Sequence, residues 1–447
     1  MTLQQHLQKN ISLAWPVMLG QLGHVAVGLA DSIMIGKIGV TPLAASAFAN
    51  SIFIIPMVFG MGMAFGMTTP IANADGEGKP EKAGNFLKHG LVTNIASAIG
   101  IFLLVFIFSF FINHLGQEKE VAAQAHSYLL IITSSIFPML LFLTFKQFAE
   151  GLSDTRIAMI ASISCNLLNI FFNYLLIYGN WGFPQLGIDG AGIATLISRI
   201  LMATVMLLYV FRAKKFRSYL AGIKTKPWKK EHFKTLLSIG VPSGLQMIFE
   251  VSAFAVAAIF AGWISAKALA AHQIAISLAS LSYMMASGLG AAATVRVGNQ
   301  RGKKDYKNML LAGRTCAYLT LTFMALCGLV FLFGRSYFPT FYTTETDVIT
   351  IASQLLVVAV LFQLSDGLQV VALGALRGMA EVKVPTLIAF IAYWGFGLLP
   401  AYLLGFTFKL GTLGIWYGLA LGLTVAAISL YWRFEWKSRK LRANAYT

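Results

Sequence analysis

Charge is what this chain has least of. Only 11% of its 447 residues are Asp, Glu, Lys or Arg, against 57% hydrophobic, and the mean hydropathy is +0.72. Such values exclude a soluble globular domain of this length. Cysteine is nearly absent: Cys165, Cys316 and Cys327 lie in or beside apolar stretches without metal-ligand spacing. Neither a disulfide framework nor a zinc site is indicated, and the thiols read as small packing residues. The GxxxxGK[ST] phosphate loop is missing, as is any polar stretch large enough for a nucleotide-binding domain. With no catalytic constellation either, the chain reads as no enzyme and needs no organic cofactor. Nor is there a small-residue cleavage pattern after a basic start, so the first apolar stretch is expected to stay in the mature chain.

What is abundant is apolar sequence of membrane-crossing length. Twelve stretches qualify, at 11–36, 46–72, 90–112, 126–150, 157–179, 188–211, 236–262, 268–294, 309–334, 349–376, 384–407 and 412–432, each near or above the ~20 residues a bilayer requires. The fold class is therefore an all-α polytopic membrane protein. Lys and Arg alternate between the connecting segments. One set, running from Lys9 through the cluster from Arg212 to Lys234 to the tail after Arg433, holds 27 of the 34, and the other set holds 5. That bias places both termini in the cytoplasm of a plasma membrane, the inner membrane if the cell is Gram-negative. The net charge of +17 is then a topology signal with anionic membrane lipid as partner, not a nucleic-acid footprint.

The chain also repeats itself. At an offset of 226, Pro16 falls on Pro242, Leu43-Ala44-Ala45 on Leu269-Ala270-Ala271, and Gly62 and Gly76 on Gly288 and Gly302. Asp154 falls on Glu381 at 227, and Leu186-Gly187 on Leu410-Gly411 at 224. A near-constant offset argues for duplication into two pseudo-symmetric six-helix lobes. The expected division is an N-lobe at 1–211, a basic linker at 212–235 and a C-lobe at 236–447. The acids break the symmetry, since Asp31 pairs with Ala257 and Glu250 with His24.

Within the apolar stretches, ionisable and amide residues follow helical spacing. Gln21, His24, Gly28 and Asp31 line one face of the first helix, and Asn166, Asn169 and Asn173 one face of the fifth. An ionised Asp at a helix centre costs roughly 2.5 to 3.5 kcal/mol on insertion scales, so Asp31 must be protonated, hold a cation or face a wet cavity. Asn carbonyls can ligate Na⁺ or accept from a protonated carboxyl, or serve as interhelical glue. In the second half Gln246 and Glu250 are four apart, and Gln363 and Asp366 three apart. Two such carboxylates in one low-dielectric site would compete for ionisation or jointly attract a hard cation. Gln21, His24, Gln246 and Gln363 are candidates for polar cavity lining. Lys146 and Glu150 read as an i, i+4 ion pair, Arg199 needs a partner that spacing does not name, and His272 reads as a packing residue. Methionine and aromatic residues such as Met61, Met63, Met67, Tyr283 and Met284 pack helices or offer adaptable surface to flat organic cations.

The combination of Ala14-Trp15-Pro16, Gly28-Leu29-Ala30-Asp31-Ser32, Phe249-Glu250-Val251, Ala271-His272-Gln273, Val295-Arg296-Val297-Gly298 and Leu376-Arg377-Gly378 resembles the multidrug and toxic compound extrusion family, in its NorM-like branch. The resemblance covers essentially the whole chain. It implies twelve helices in two lobes around a central cavity, and a secondary antiporter that exports amphipathic, often cationic compounds in exchange for Na⁺ or H⁺ by alternating access. Carried over by position, Asp31, Asn169, Asn173 and Thr195 form an N-lobe cation site and Glu250 with Asp366 a C-lobe site, with Na⁺ a candidate ligand of both. Two departures stand out. Asn173 occupies a place where some proton-coupled members carry an acid, which weakens a simple proton relay. Phe362 stands where some Na⁺-coupled relatives carry a hydroxylated aromatic, which removes a ligand. The ion is thus Na⁺ or H⁺ with a lean to Na⁺, and the expected working unit is a monomer. The rival reading is a flippase for lipid or lipid-linked oligosaccharide with a similar two-lobe plan, disfavoured because the acids in the apolar stretches outnumber Arg199.

Overall fold

The computed structural model describes residues 2–444. Every expected apolar stretch is a helix long enough to cross a membrane: α1 (Leu3–Gly36), α2 (Val40–Gly76), α3 (Pro80–Ser109), α4 (Lys119–Gly151), α5 (Arg156–Tyr178), α6 (Gly187–Arg212), α7 (Lys230–Ile264), α8 (Ala266–Gly302), α9 (Tyr306–Gly334), α10 (Thr346–Gly378), α11 (Lys383–Thr407) and α12 (Gly411–Ala443). In hydrocarbon every backbone polar group must be satisfied within the segment, which an apolar helix achieves. Most helices overrun the apolar stretch at one or both ends, where polar turns continue the same hydrogen-bond ladder. Three are interrupted. α2 breaks at Gly66 and Met67, α4 at Ser135, and α11 passes into wider π-helical turns at Ile391–Leu398 and Leu403–Thr407.

The chain condenses into two compact units, Leu19–Gly244 and Met1–Met18 with Leu245–Thr447. The division expected from the sequence, 1–211, 212–235 and 236–447, differs from this at both ends. The opening turns of α1 belong to the second unit: His6 Nε2 is 3.0 Å from Asn308 Oδ1, Arg296 Nε donates to Asn10 Oδ1 at 3.3 Å, and Asn10 donates to the Ala312 carbonyl at 3.3 Å. The first half of α7 likewise belongs to the first unit. Both boundaries fall inside a helix and they lie 226 residues apart, the offset of the repeat.

Glycine makes these half-helices fit. A Cβ on Gly62 in α2 would overlap the backbone of Gly244 in α7, and one on its repeat mate Gly288 in α8 would come within 2.6 Å of Met18 Cγ and 3.0 Å of the Ala14 carbonyl in α1. Small residues at such crossings let backbones touch.

The linker is folded onto the first unit. Its helix, Arg217–Thr225, crosses α3 so closely that a Cβ on Gly222 would meet the Glu81 carbonyl. Tyr219 donates to Asp75 at 2.7 Å, Lys226 pairs with Glu81 at 2.6 Å, and the Lys229 amide donates to His89 Nε2 at 2.9 Å. The repeat mates Asp154 and Glu381 do the same work in their two units. Asp154 accepts from Tyr209 at 2.8 Å and Lys215 at 2.5 Å, and Glu381 from Arg433 Nε at 2.8 Å while also pairing with Lys437. Each ties the turn after the unit's fourth helix to the end of its sixth.

Candidate functional site

In the first unit α1, α5 and α6 bring Asp31, Asn169, Asn173 and Thr195 together. Asn173 Nδ2 donates to Asp31 Oδ1 at 2.5 Å. The Asn169 amide is oriented with its nitrogen toward the same oxygen, 2.9 Å away, and its carbonyl accepting from the Thr195 backbone N–H at 3.3 Å. The reverse orientation would set carbonyl oxygen against carboxylate oxygen. Asn169 and Asn173 are buried, and Asp31 is half-buried at a cavity of ≈260 Å³ that His24, Asn166, Thr195 and Arg199 also line. Gln21, a turn before His24, lies outside that lining. Asn50 and Tyr128 border the same space from α2 and α4. Neither is among the residues singled out from the sequence, although Ser46, four before Asn50 on α2, lines the same cavity.

Arg199 finds its partner at the break in α4. Its Nη1 donates to Ser135 Oγ at 2.5 Å, and the guanidinium carbon lies 5.8 Å from the Phe53 ring centroid. A hydroxyl and an aromatic face thus hold a buried cation that shares its cavity with Asp31.

In the second unit Glu250 on α7 and Asp366 on α10 line one cavity of ≈230 Å³, with Tyr283, Met247, Met284 and Phe362. Both acids are buried. Gln369, one turn beyond Asp366, bridges them: its Nε2 is 3.3 Å from Glu250 Oε1 and 3.5 Å from Asp366 Oδ1. Its orientation is held by Tyr393 on α11, whose hydroxyl donates to Gln369 Oε1 at 2.8 Å. Phe362 offers no hydroxyl here, but Tyr283 and Tyr393 bring two phenols from other helices. Gln369 was readable at i+3 from Asp366, on the face that Gln363 and Asp366 already marked; Tyr283 and Tyr393 carried no local signal beyond being aromatic.

The remaining polar candidates of the second unit, and Lys146 and Glu150, lie outside the two cavity linings. Gln363 is fully buried and exchanges hydrogen bonds with Ser282 at 2.8 and 3.0 Å, away from the cavity lining. Gln246 is buried and also outside that lining. Lys146 and Glu150 pair at 3.8 Å, and His272 Nδ1 accepts from Trp416 Nε1 at 3.1 Å in a packing role.

Duplicated six-helix architecture with an acid-bearing cavity in each unit defines the class, a multi-pass helical membrane protein. The chain belongs to the MatE family, whose model matches residues 16–175 and again 242–403, two stretches that begin one repeat apart. It is 33% identical over 438 residues to the multidrug resistance protein NorM of Photobacterium profundum, covering 97% of this chain and 96% of that one. To the multidrug resistance protein MdtK of Yersinia pseudotuberculosis it is 32% identical over 437 residues, covering 96% and 95%. Among solved structures, a MATE protein in a bent conformation superposes with a TM-score of 0.91 at 19% identity over 100% of both chains. A MOP superfamily transporter from Pyrococcus furiosus superposes with 0.88 at 20% identity over 98% and 97%. These two likenesses speak for the fold.

Proposed function

We propose that the chain is a secondary multidrug antiporter that exports amphipathic organic compounds, cationic ones among them, in exchange for inward Na⁺ or H⁺ by alternating access. The observation that carries this reading is the pairing of acids with amides. Asp31 is held by Asn173 and Asn169, and Glu250 and Asp366 share Gln369. A neutral amide orients a carboxylate without cancelling its charge. In an apolar surrounding such charges call for a proton, a metal ion or a cationic solute, which compete for one place; in the first cavity Arg199 adds a fixed positive charge held by Ser135 and not by Asp31. The names of the NorM and MdtK relatives support export of drugs.

Carboxylate oxygens are hard donors of the kind Na⁺ takes, and the phenols of Tyr283 and Tyr393 add oxygen to the second site. An entering monovalent cation gains about 2.3 kcal/mol per 100 mV of membrane potential. One-for-one exchange against a monovalent cationic solute moves no net charge, so the chemical gradient alone would drive it. Both termini lie in the cytoplasm on the strength of the Lys and Arg bias, and the monomer is the working unit.

The test is efflux of a fluorescent organic cation from liposomes that hold only this protein, under an imposed Na⁺ gradient or an imposed pH gradient. Drive by either establishes the antiporter and names its ion. Failure of both with folded protein overturns the reading and favours lipid flipping.

A further inference from the structure

The carboxyl-terminal turns of α12 carry a feature that the transport reading does not use. α12 is longer than its repeat mate α6, 33 residues against 26. α6 stops at Arg212 and the chain folds back so that Lys215 reaches Asp154. At the matching place α12 passes Trp436 and runs on to Ala443 as an unbroken helix. The extension continues an exposed face of α12 and adds basic residues to it. At steps of three and four, that face reads Ile428, Trp432, Trp436, then Arg439 and Lys440.

Together with Leu368 of α10 this face forms a groove of ≈880 Å³. Its chemistry is graded along the helix. Ile428 and Leu368 make the deep apolar end. Trp432 and Trp436, 66% and 42% exposed, follow, and the basic pair closes the shallow end. Hydrocarbon, interfacial aromatic and cation is the order in which a bilayer presents itself from core to headgroup. From Ile428 to Lys440 is twelve residues, about 18 Å at ~1.5 Å per residue, close to the length of one acyl chain.

The mouth of the groove is net positive. Glu435, the acid within it, is bidentate with Arg314 at 2.6 Å on both oxygens and also accepts from Tyr431 at 3.3 Å. Arg439 reaches Glu435 only at 3.3 Å and its side chain is 69% exposed; Lys440 rests its ammonium 5.2 Å from the Trp436 ring centroid. Arg439 and Lys440 therefore keep donors for a phosphodiester placed above the two indoles.

We propose that this groove binds one anionic phospholipid of the leaflet at the carboxyl end of α12, its phosphate between Arg439 and Lys440 and an acyl chain along Trp432, Ile428 and Leu368. A zwitterionic lipid could fill the apolar part but would set its own cation beside the basic pair, so the site selects for net negative headgroups. The proposal is independent of what the two acid-bearing cavities carry.

The test is indole fluorescence of the full chain in phosphatidylcholine liposomes doped with brominated phosphatidylglycerol or brominated phosphatidylcholine. A Trp432→Phe/Trp436→Phe variant isolates the signal of these two among the eight tryptophans. That signal is expected to be quenched by the brominated anionic lipid at several-fold lower mole fraction than by the neutral one. Arg439→Gln/Lys440→Gln should reduce the preference by up to roughly thirtyfold, the order expected for two basic residues at a charged surface, and Arg439→Lys/Lys440→Arg should keep it. Equal quenching by both lipids, or a preference unchanged in the Gln variant, overturns the proposal. So does relief of quenching by soluble glycerol phosphate, which would mark a free-anion site. Absence of quenching by either lipid, with cross-linking through this face, would give the groove to a second copy of the chain.

Discussion

Asn173 on α5 holds Asp31 on α1 by a hydrogen bond of 2.5 Å from its amide nitrogen. The contact gives the carboxylate a direction while leaving its charge uncancelled. Replacing the amide by an acid, Asn173→Asp, puts two carboxyls at that distance, and one must then keep a proton. Efflux by this variant is expected to gain drive from a pH gradient relative to the parent. Liposome efflux under Na⁺ and under pH gradients, run side by side, checks it.

Removing the charges themselves is a different perturbation. Asp31→Asn, Glu250→Gln and Asp366→Asn change volume little, so membrane insertion should be unaffected while ion-driven efflux falls on the order of tenfold or more in each. Full transport by all three would remove both sites from the coupling mechanism.

Gln369 bridges two acids because Tyr393 occupies its oxygen. Tyr393→Phe frees the amide to rotate and present its carbonyl to the carboxylates. The expected loss is a few-fold in ion-driven efflux, the size that follows from about 1 kcal/mol for one buried hydrogen bond. Gln369→Leu, which deletes the bridge, should cost more than Tyr393→Phe in the same assay.

Gly62→Val tests the crossing of α2 with the first half of α7. The new side chain must displace the Gly244 backbone, at about 1–3 kcal/mol for overpacking of a close contact. A lower melting temperature in detergent is expected, and the repeat mate Gly288→Val should show the same sign. Gly100→Val, at a glycine whose added Cβ meets nothing within 4 Å, is the control.

The docked linker has its own pH limit. Burial first, then the Asp75 carboxylate that its hydroxyl bonds, pushes Tyr219 up to about 12. A group raised on folding stabilises fully below its unfolded value, about 10 for tyrosine, and the benefit disappears as pH climbs through the folded value. The protection of the linker-helix amides, measured as the ratio of intrinsic to observed hydrogen exchange, should hold to about pH 10 and fall above it. In Tyr219→Phe that protection should be lower already at neutral pH.

How much of this could be read from the sequence depends on the kind of signal. Twelve spans, the 226-residue offset and the polar faces of α1 and α5 are periodic, and periodicity survives without neighbours. The juxtaposition of Asp31 with Asn169 and Asn173, or of Glu250 with Asp366, rested on resemblance, because helical spacing says which residues share a face and nothing about which face it meets. Gln369 followed the visible rule, at i+3 from Asp366, and was nonetheless passed over in favour of Gln363 and Gln246. Tyr393 was not legible, since it lies 24 residues from Gln369 on another helix. Ser135 as the partner of Arg199 depends on a helix break that Pro138, three residues on, announces, but nothing local says that Arg199 meets it. The packing of residues 1–18 with the second unit was hidden for the same reason: an apolar helix is equally content against either neighbour, and the selection rests on small contacts such as Asn10 with Arg296.

The exchange of half-helices at Met18 and Gly244 bears on how the chain is built. The first unit lacks a packing element until residues 230–244 have been synthesised, after its own six spans, while the second recruits an element made before those spans and kept waiting until they are complete. Neither gene half encodes a self-sufficient module, so severing the chain in the linker should leave two fragments that mature only when produced together, each lending the other its opening turns. Duplication of an ancestral half therefore yields here a pair of partners obliged to assemble as one.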